Sequence, residues 1–238
     1  MPKIQSPVNM KKIVVLSGAG ISAESGIKTF RDADGLWEGH DITEVASPEG
    51  FTKNPELVLN FYNLRRRQLL EVQPNLAHQL LADLEQYYPI NIITQNVDDL
   101  HERAGNKNVL HLHGELLKAR SSKNENYVVE WHSDINMNNL CPDGYLMRPH
   151  IVWFGETVPE FDRATDLISQ ADIVIVIGTS MQVYPAAGLI QYATKAENIF
   201  YIDPKPAYIH LTTISVETIA EKATTGMEKL FKRLISSI

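Results

Sequence analysis

Five short runs rich in β-branched residues punctuate the chain: Lys12–Ser17 (KIVVLS), Ile90–Gln95 (INIITQ), Val109–Leu112 (VLHL), Ile173–Ile177 (IVIVI) and Asn198–Ile202 (NIFYI). A strand with one wet face alternates apolar and polar residues. These runs are close to continuously apolar, so they predict strands covered on both faces, the environment of a parallel sheet. Parallel neighbours need long crossovers, and stretches with helical spacing lie between the runs: Asn75–Tyr87 after Pro74, Asp162–Gln170 and Pro185–Ala193. Val216–Leu234 reads as one amphipathic helix or two. Alternation of this kind predicts an α/β fold, a doubly wound parallel sheet with helices on both faces.

Two segments break the alternation. Lys28–Gln73 has no clear strand and one helical stretch, Pro55–Glu71, and Leu117–Arg148 is polar. They read as insertions that build a small lobe from about 28–73 and 117–148, leaving a large lobe of about 1–27, 74–116 and 149–238 within one domain, 1–238. Tyr127, Val128, Val129, Trp131, Leu140, Tyr145 and Leu146 are the candidates for a small apolar core in the second insertion.

A net charge of −7 removes any electrostatic reason to coat nucleic acid or an anionic membrane. No apolar run approaches the ~18 residues a bilayer span needs, and the opening MPKIQSPVNMKK lacks an apolar signal stretch, so a cytoplasmic location is expected. The single cysteine, Cys141, forbids an internal disulfide and any paired-cysteine metal site.

The first run leads into Gly18-Ala19-Gly20-Ile21-Ser22-Ala23, a G-x-G-x-x-G/A pattern placed directly after a strand. Gly18 and Gly20 would let the backbone approach a pyrophosphate, and a following helix N-terminus would offer it N–H groups. A tight strand-to-helix turn without a ligand explains the same glycines. A dehydrogenase of this type places an acidic residue at the end of a second strand about 20 positions on. Gly35–Asp41 contains acids with no strand before them, which argues against plain hydride transfer.

Several longer runs share one further property. GAGISAESGIKTFRDADGLW (Gly18–Trp37), TQNVDDLHERAG (Thr94–Gly105), LHLHG (Leu110–Gly114), RPHIVWFGE (Arg148–Glu156) and GTSMQVYPAA (Gly178–Ala187) resemble, in order, the signature segments of the sirtuin family. The resemblance implies a Rossmann-type lobe plus a small lobe, and an enzyme that uses NAD as co-substrate to remove acyl groups from protein lysines. The products would be nicotinamide, free lysine and O-acyl-ADP-ribose. It assigns Gly18, Ala19, Gly20, Ser22, Phe30, Arg31, Trp37, Gln95, Asn96, Asp98, Gly178, Thr179, Ser180, Asp203 and Ala223 to NAD. Asp98 would hold the nicotinamide carboxamide, and Asn96 and Gln95 the ribose. Asn96 and His113 would be the catalytic residues, His113 as the base that takes a proton from a ribose hydroxyl. His111 shares a strand face with His113, so spacing alone does not choose between them; the motif places the base directly before Gly114. His78 and His101 read as structural.

On the substrate side, Val152, Trp153, Phe154, Gly155 and Glu156 resemble the family's segment that pairs with a peptide as an added strand. Tyr62 and Arg65, three apart on one helix, with the small Ala46, resemble the residues of sirtuins that remove succinyl or malonyl groups. Arginine suits a distal carboxylate because its planar fork makes paired hydrogen bonds; a solvated basic face, Arg65–Arg67, is the competing reading. Many sirtuins hold zinc with two cysteine pairs in the small lobe. Here Ala119–Ser122 has no cysteine and the second region only Cys141, so no zinc is expected, a mixed site from His132, Cys141 and His150 being the remaining possibility. The partners implied are acyl-lysine proteins or peptides. Two other functions fit the same scaffold: an NAD hydrolase or ADP-ribosyltransferase, and a non-catalytic NAD-sensing module.

Overall fold

The computed structural model describes residues 10–28, 36–37, 39–209, 211 and 214–237. In chain order its strands are β1 (Ile13–Ser17), β2 (Leu36–Trp37), β3 (His40–Asp41), β4 (Ile90–Thr94), β5 (Val109–His111), β6 (Gly114–Ser121), β7 (Val128–Glu130), β8 (Met147–Ile151), β9 (Ile173–Ile177), β10 (Asn198–Ile202) and β11 (Val216–Ile219). Six of them form one parallel sheet in the order β11-β10-β9-β1-β4-β5. Numbered among themselves, these strands run 3-2-1-4-5-6 from β5, the doubly wound order whose direction of winding reverses beside the first strand.

The helices are α1 (Ile42–Val45), α2 (Pro48–Lys53), α3 (Pro55–Glu71), α4 (Leu76–Leu84), α5 (Leu100–Arg103), α6 (Phe161–Ser169) and α7 (Ala223–Ile235). Period-two alternation sends Ile13, Val15, Ile92, Ile175 and Ile202 to one face of the sheet, under Ala77, Leu81 and Leu84 of α4 and Met227, Leu230 and Leu234 of α7. Val14, Leu16, Ile93, Val174, Val176 and Tyr201 point the other way, against Ala164 and Ile168 of α6 and Leu189 and Ile190 of a 3₁₀ helix, Ala186–Tyr192. Both faces are covered, which is why the strand sequences do not alternate.

The expectation of helix throughout Val216–Leu234 is corrected here. Val216–Ile219 is the edge strand β11, only partly covered, and α7 begins at Ala223. Its Val-Glu-Thr-Ile sequence is stabilised by pairing with β10, a neighbour its own sequence does not reveal.

Strands β7, β6 and β8 form a separate antiparallel sheet. Beside it Ala119, Ile135, Cys141 and Met147 pack on Leu59 of α3, with Tyr127, Val129, Trp131 and Leu146 against them. Leu140 and Tyr145, expected in this core, are exposed (57% and 48%), and Val128 lies outside it. Polar clamps add to the apolar contact. Asn63 of α3 pairs with both backbone groups of Ile135: its Nδ2 donates to the carbonyl (2.8 Å) and its Oδ1 accepts the N–H (2.9 Å). Arg66, fully buried, donates to that Oδ1 at 2.8 Å and to Leu116 O at 3.0 Å. The run Arg65–Arg67 is therefore not one basic face: Arg66 is internal, Arg67 is exposed near Asp134 (3.7 Å), and Arg65 is half-buried.

Candidate active site

The carboxyl ends of β1, β4, β9 and β10 deliver Gly18, Gln95, Gly178 and Asp203 to one edge of the sheet. At the centre, two glycine loops meet backbone to backbone. Gly20 N–H donates to Gly178 O at 2.7 Å. A Cβ on Gly20 would lie 2.7 Å from Gly178 Cα, and one on Gly178, whose φ is +64°, would lie 2.1 Å from Ile21 N. Left-handed backbone costs a side chain about 1–2 kcal/mol and overpacking about 1–3 more. Gly178→Ala is accordingly expected to destabilise the fold by roughly 2–5 kcal/mol, lowering Tm by several degrees; an unchanged thermal melt would contradict the close packing.

The loop after β1 is not the α-helix N-terminus expected from the motif. Ala19–Ile21 and Ala23–Ser25 are 3₁₀ turns. The N–H groups of Gly18, Gly20, Ile21 and Ser22 bond internally, so among the described residues Ala19 keeps the one N–H of that stretch with no protein acceptor. Glu24 of this loop instead caps α7, accepting from Thr224 N and Oγ1, beside buried Ala223.

Beneath the loop lies a polar floor. Ser22 Oγ donates to Asp98 Oδ2 (3.0 Å) and accepts from Asn96 Nδ2 (3.2 Å). His78 Nδ1 accepts the Asn75 N–H that caps α4, so its Nε2 carries the proton and faces Ser22 Oγ at 3.5 Å. His101 Nε2 lies 2.9 Å from Ser17 Oγ, which donates to Thr94 Oγ1. Burial pushes Asp98 up to about 6, against the bonds from Leu100 N and Ser22. Burial also pulls His78 down to about 4 and His101 well below the usual range. Both histidines are neutral donors in the floor. Nearer the crevice, Gln95 Nε2 donates to Thr179 Oγ1 (3.1 Å), joining the carboxyl ends of β4 and β9 next to half-buried Ser180. Asp203 is buried and accepts from Lys205 N (2.8 Å).

His113 follows β5. Its Nδ1 meets Gln95 O at 3.0 Å. A carbonyl only accepts, so the proton sits on Nδ1 and the Nε2 lone pair remains, with no partner among the described residues. Burial lowers its pKa, partly offset by the Gln95 carbonyl. The group is a neutral base held in one tautomer.

The next wall comes from the chain after β8. Val152 N–H donates to His113 O (2.9 Å) and Phe154 N–H to Ala46 O (3.0 Å). Val152 and Trp153 run on from β8 without regular structure and lead into a turn at Phe154–Gly155, with Gly155 at φ +91°. The turn is fixed by Glu156, which accepts from Trp153 N (2.8 Å), Arg148 (2.7 Å) and Arg120 (3.1 Å). Its carboxylate is engaged inside the lobe, which fits a supporting role better than peptide contact. Phe154 is about half exposed, while Trp153 is buried and donates its indole N–H to the Tyr62 hydroxyl (3.0 Å).

Tyr62 and Arg65, although one helical turn apart, serve different surroundings. Tyr62 is fully buried against Trp153, and burial pushes its phenol pKa up. Arg65 lies with its guanidinium carbon 3.2 Å above the Phe61 ring and donates to Phe61 O (2.7 Å). It lines a cavity with Ile27, Lys28, Val97, Asp98 and Leu116. Ala46 is buried beside this region. Phe30 and Arg31 lie outside the described residues, as does the side chain of Trp37. Among the described residues no group of three or more His, Cys, Asp or Glu is placed to hold a metal. Cys141 faces Ser121 Oγ at 3.3 Å, and His132 is exposed near Glu130.

Sequence reasoning missed the Ser17–Thr94–His101 floor and the Arg120–Arg148–Glu156 cluster. A polar residue closing each of two apolar runs, Ser17 and Thr94, was the one signal for the former.

A parallel sheet in this order, with glycine loops meeting at its point of reversal, defines a Rossmann-like dinucleotide-binding fold. The Sir2 family pattern matches residues 18–185, and the chain belongs to that family, the sirtuins. An NAD-dependent protein deacylase of Helicobacter pylori is 61% identical over 226 residues, 95% of this chain and 98% of that one. Another, from Bacteroides thetaiotaomicron, is 50% identical over 95% of this chain and 99% of its own length. Among solved structures, a Sir2 homologue in complex with NAD has a TM-score of 0.84 at 41% identity, covering 96% of this chain and 91% of that one. A Sir2 bound to an acetylated peptide has a TM-score of 0.79 at 29% identity, each chain covered to 94%.

Proposed function

We infer that this sirtuin is an NAD-dependent protein lysine deacylase that favours acyl groups ending in a carboxylate. The observation that carries the first part is His113, an imidazole whose Nδ1 is held by Gln95 O and whose Nε2 has no protein partner among the described residues. NAD, when bound, supplies the ADP-ribosyl group that receives the acyl group as nicotinamide leaves. Gly18, Ala19, Gly20, Thr179 and Ser180 hold its phosphate and ribose portions, Asp203 and Ala223 border it, and Gln95 and Asn96 face the second ribose. Asp98, bonded to Ser22, accepts from a carboxamide. His113 takes a proton from a ribose hydroxyl at Nε2, and its Nδ1–H bond to Gln95 O keeps that lone pair aimed.

Arg65 supports the acidic preference. It faces a cavity shared with Asp98, so an acyl arm long enough to cross it ends at a guanidinium. Val152–Phe154 borders the peptide, and a net charge of −7 favours lysine-rich partners. Incubation with NAD and acetyl-, succinyl- and malonyl-lysine peptides tests the reading. Peptide-dependent nicotinamide release is expected. Peptide-independent release would mark an NAD hydrolase, and NAD binding without release a sensing module.

A further inference from the structure

The first histidine of the Leu110–Gly114 run, His111, is not absorbed by the reaction, yet its surroundings differ sharply from those of His113. His111 Nδ1 lies 3.0 Å from Asn96 O, and its Nε2 lies 2.8 Å from Glu102 Oε1. A carbonyl and a carboxylate are both acceptors. Satisfying both requires a proton on each ring nitrogen, so this geometry defines an imidazolium. His113 has one acceptor and is a base; His111 has two and is a cation.

The segment these rings hold carries the site. Three consecutive carbonyls after β4 are tied to the strand beside them: Gln95 O to His113 Nδ1, Asn96 O to His111 Nδ1, and Val97 O to Leu116 N (2.8 Å). Asn96 and Asp98 reach the polar floor from this segment. We propose that His111 is a positioning residue: an imidazolium clamped between Glu102 and the Asn96 carbonyl that fixes the Gln95–Asp98 segment for NAD. The inference rests on the deacylase reading for its kinetic readout alone.

The charges around the ring agree with this state. Glu102 of α5 and Glu115 of β6 both favour the cation, while His101 of α5 is held neutral and does not compete. His111 in turn lowers the pKa of Asp98, opposing the burial that raises it. The balance lifts His111 above the ordinary histidine value: burial opposes the charge, and the Glu102 bond and charge outweigh it. The sign follows. The clamp is complete below the ordinary histidine range and is lost as pH rises through the raised value.

Three measurements on wild type, Glu102→Gln and His111→Gln test the proposal between about pH 6 and 9.5, a window that brackets the ordinary histidine value. These are NAD affinity by calorimetry, protonation of His111 by NMR of labelled histidine, and KM and kcat with an acylated peptide. Wild type should show His111 as a cation at neutral pH, with NAD affinity falling on the alkaline side as that proton leaves. Glu102→Gln keeps a hydrogen-bonding partner but removes the charge. It should move both transitions to lower pH by roughly half a unit to one unit, as expected where the histidine is buried but its carboxylate partner is partly exposed. His111→Gln should weaken NAD binding roughly tenfold, the scale of one charge-assisted hydrogen bond. Its effect should fall on KM for NAD more than on kcat, because His113 keeps its own bond to Gln95. A neutral His111 at pH 7, or NAD affinities with the same pH profile in wild type and Glu102→Gln, would overturn the proposal even if His111→Gln failed to fold. NAD binding without peptide turnover would remove the deacylase reading and leave the clamp to be judged on calorimetry and NMR.

Discussion

Replacing His113 with alanine is expected to lower acyl transfer about 10²–10⁴-fold, the usual consequence of losing a general base. Among the described residues the ring makes one hydrogen bond, to Gln95 O. The fold should therefore survive, with Tm changed by a few degrees and NAD affinity largely retained. The wild-type pH profile supplies an independent check. A base acts when unprotonated, and burial lowers the pKa of His113. The rate should rise with pH through a value below the ordinary histidine range and stay high at neutrality. Deacylation within a few-fold of wild type in His113→Ala would rule out the assigned role. Loss of NAD binding in parallel would mean that the ring holds the Gln95 segment more than it moves a proton.

The central sheet was legible because parallel strands are buried on both faces and so stand out as unbroken apolar runs. β11 was not, since an edge strand of four residues depends on β10 and carries the same alternation as a short amphipathic helix. The glycine pattern located the β1 loop correctly but held only part of the reason for the glycines. Gly18 and Gly20 are needed first for contact with Gly178 and Thr179, residues about 160 positions away that no local pattern can include. The small lobe's polar clamps are equally non-local. Nothing around Asn63 or Arg66 announces that they bind Ile135 and Leu116. His111 and His113 are the clearest case. They share a strand face, yet His111 meets a second acceptor in Glu102 while His113 meets only the Gln95 carbonyl among the described residues.

Arg65→Met is expected to raise the KM for a succinyl-lysine peptide by roughly 10–150-fold, which corresponds to the ~1.5–3 kcal/mol of a charge-assisted hydrogen bond. Methionine keeps an unbranched apolar stem of similar reach, so packing over Phe61 is partly preserved while the charge and the donor fork are lost. Acetyl-lysine turnover should change little, because a methyl group ends short of the cavity that Arg65 shares with Val97, Asp98 and Leu116. Tyr62→Phe should act on the same KM more weakly and only indirectly, because Tyr62 is buried against Trp153 and does not line that cavity. Its hydroxyl accepts from Trp153 Nε1, and removing it leaves that buried N–H without its acceptor, so part of the loss should appear as lower stability instead of altered selectivity. The two substrates separate the explanations. Arg65 also lines the same cavity as Asp98, so a role in holding NAD or the α3 helix would depress succinyl and acetyl turnover equally. A basic side chain facing only solvent would leave both unchanged. A loss confined to the acidic acyl group is the one outcome that assigns Arg65 to the distal carboxylate.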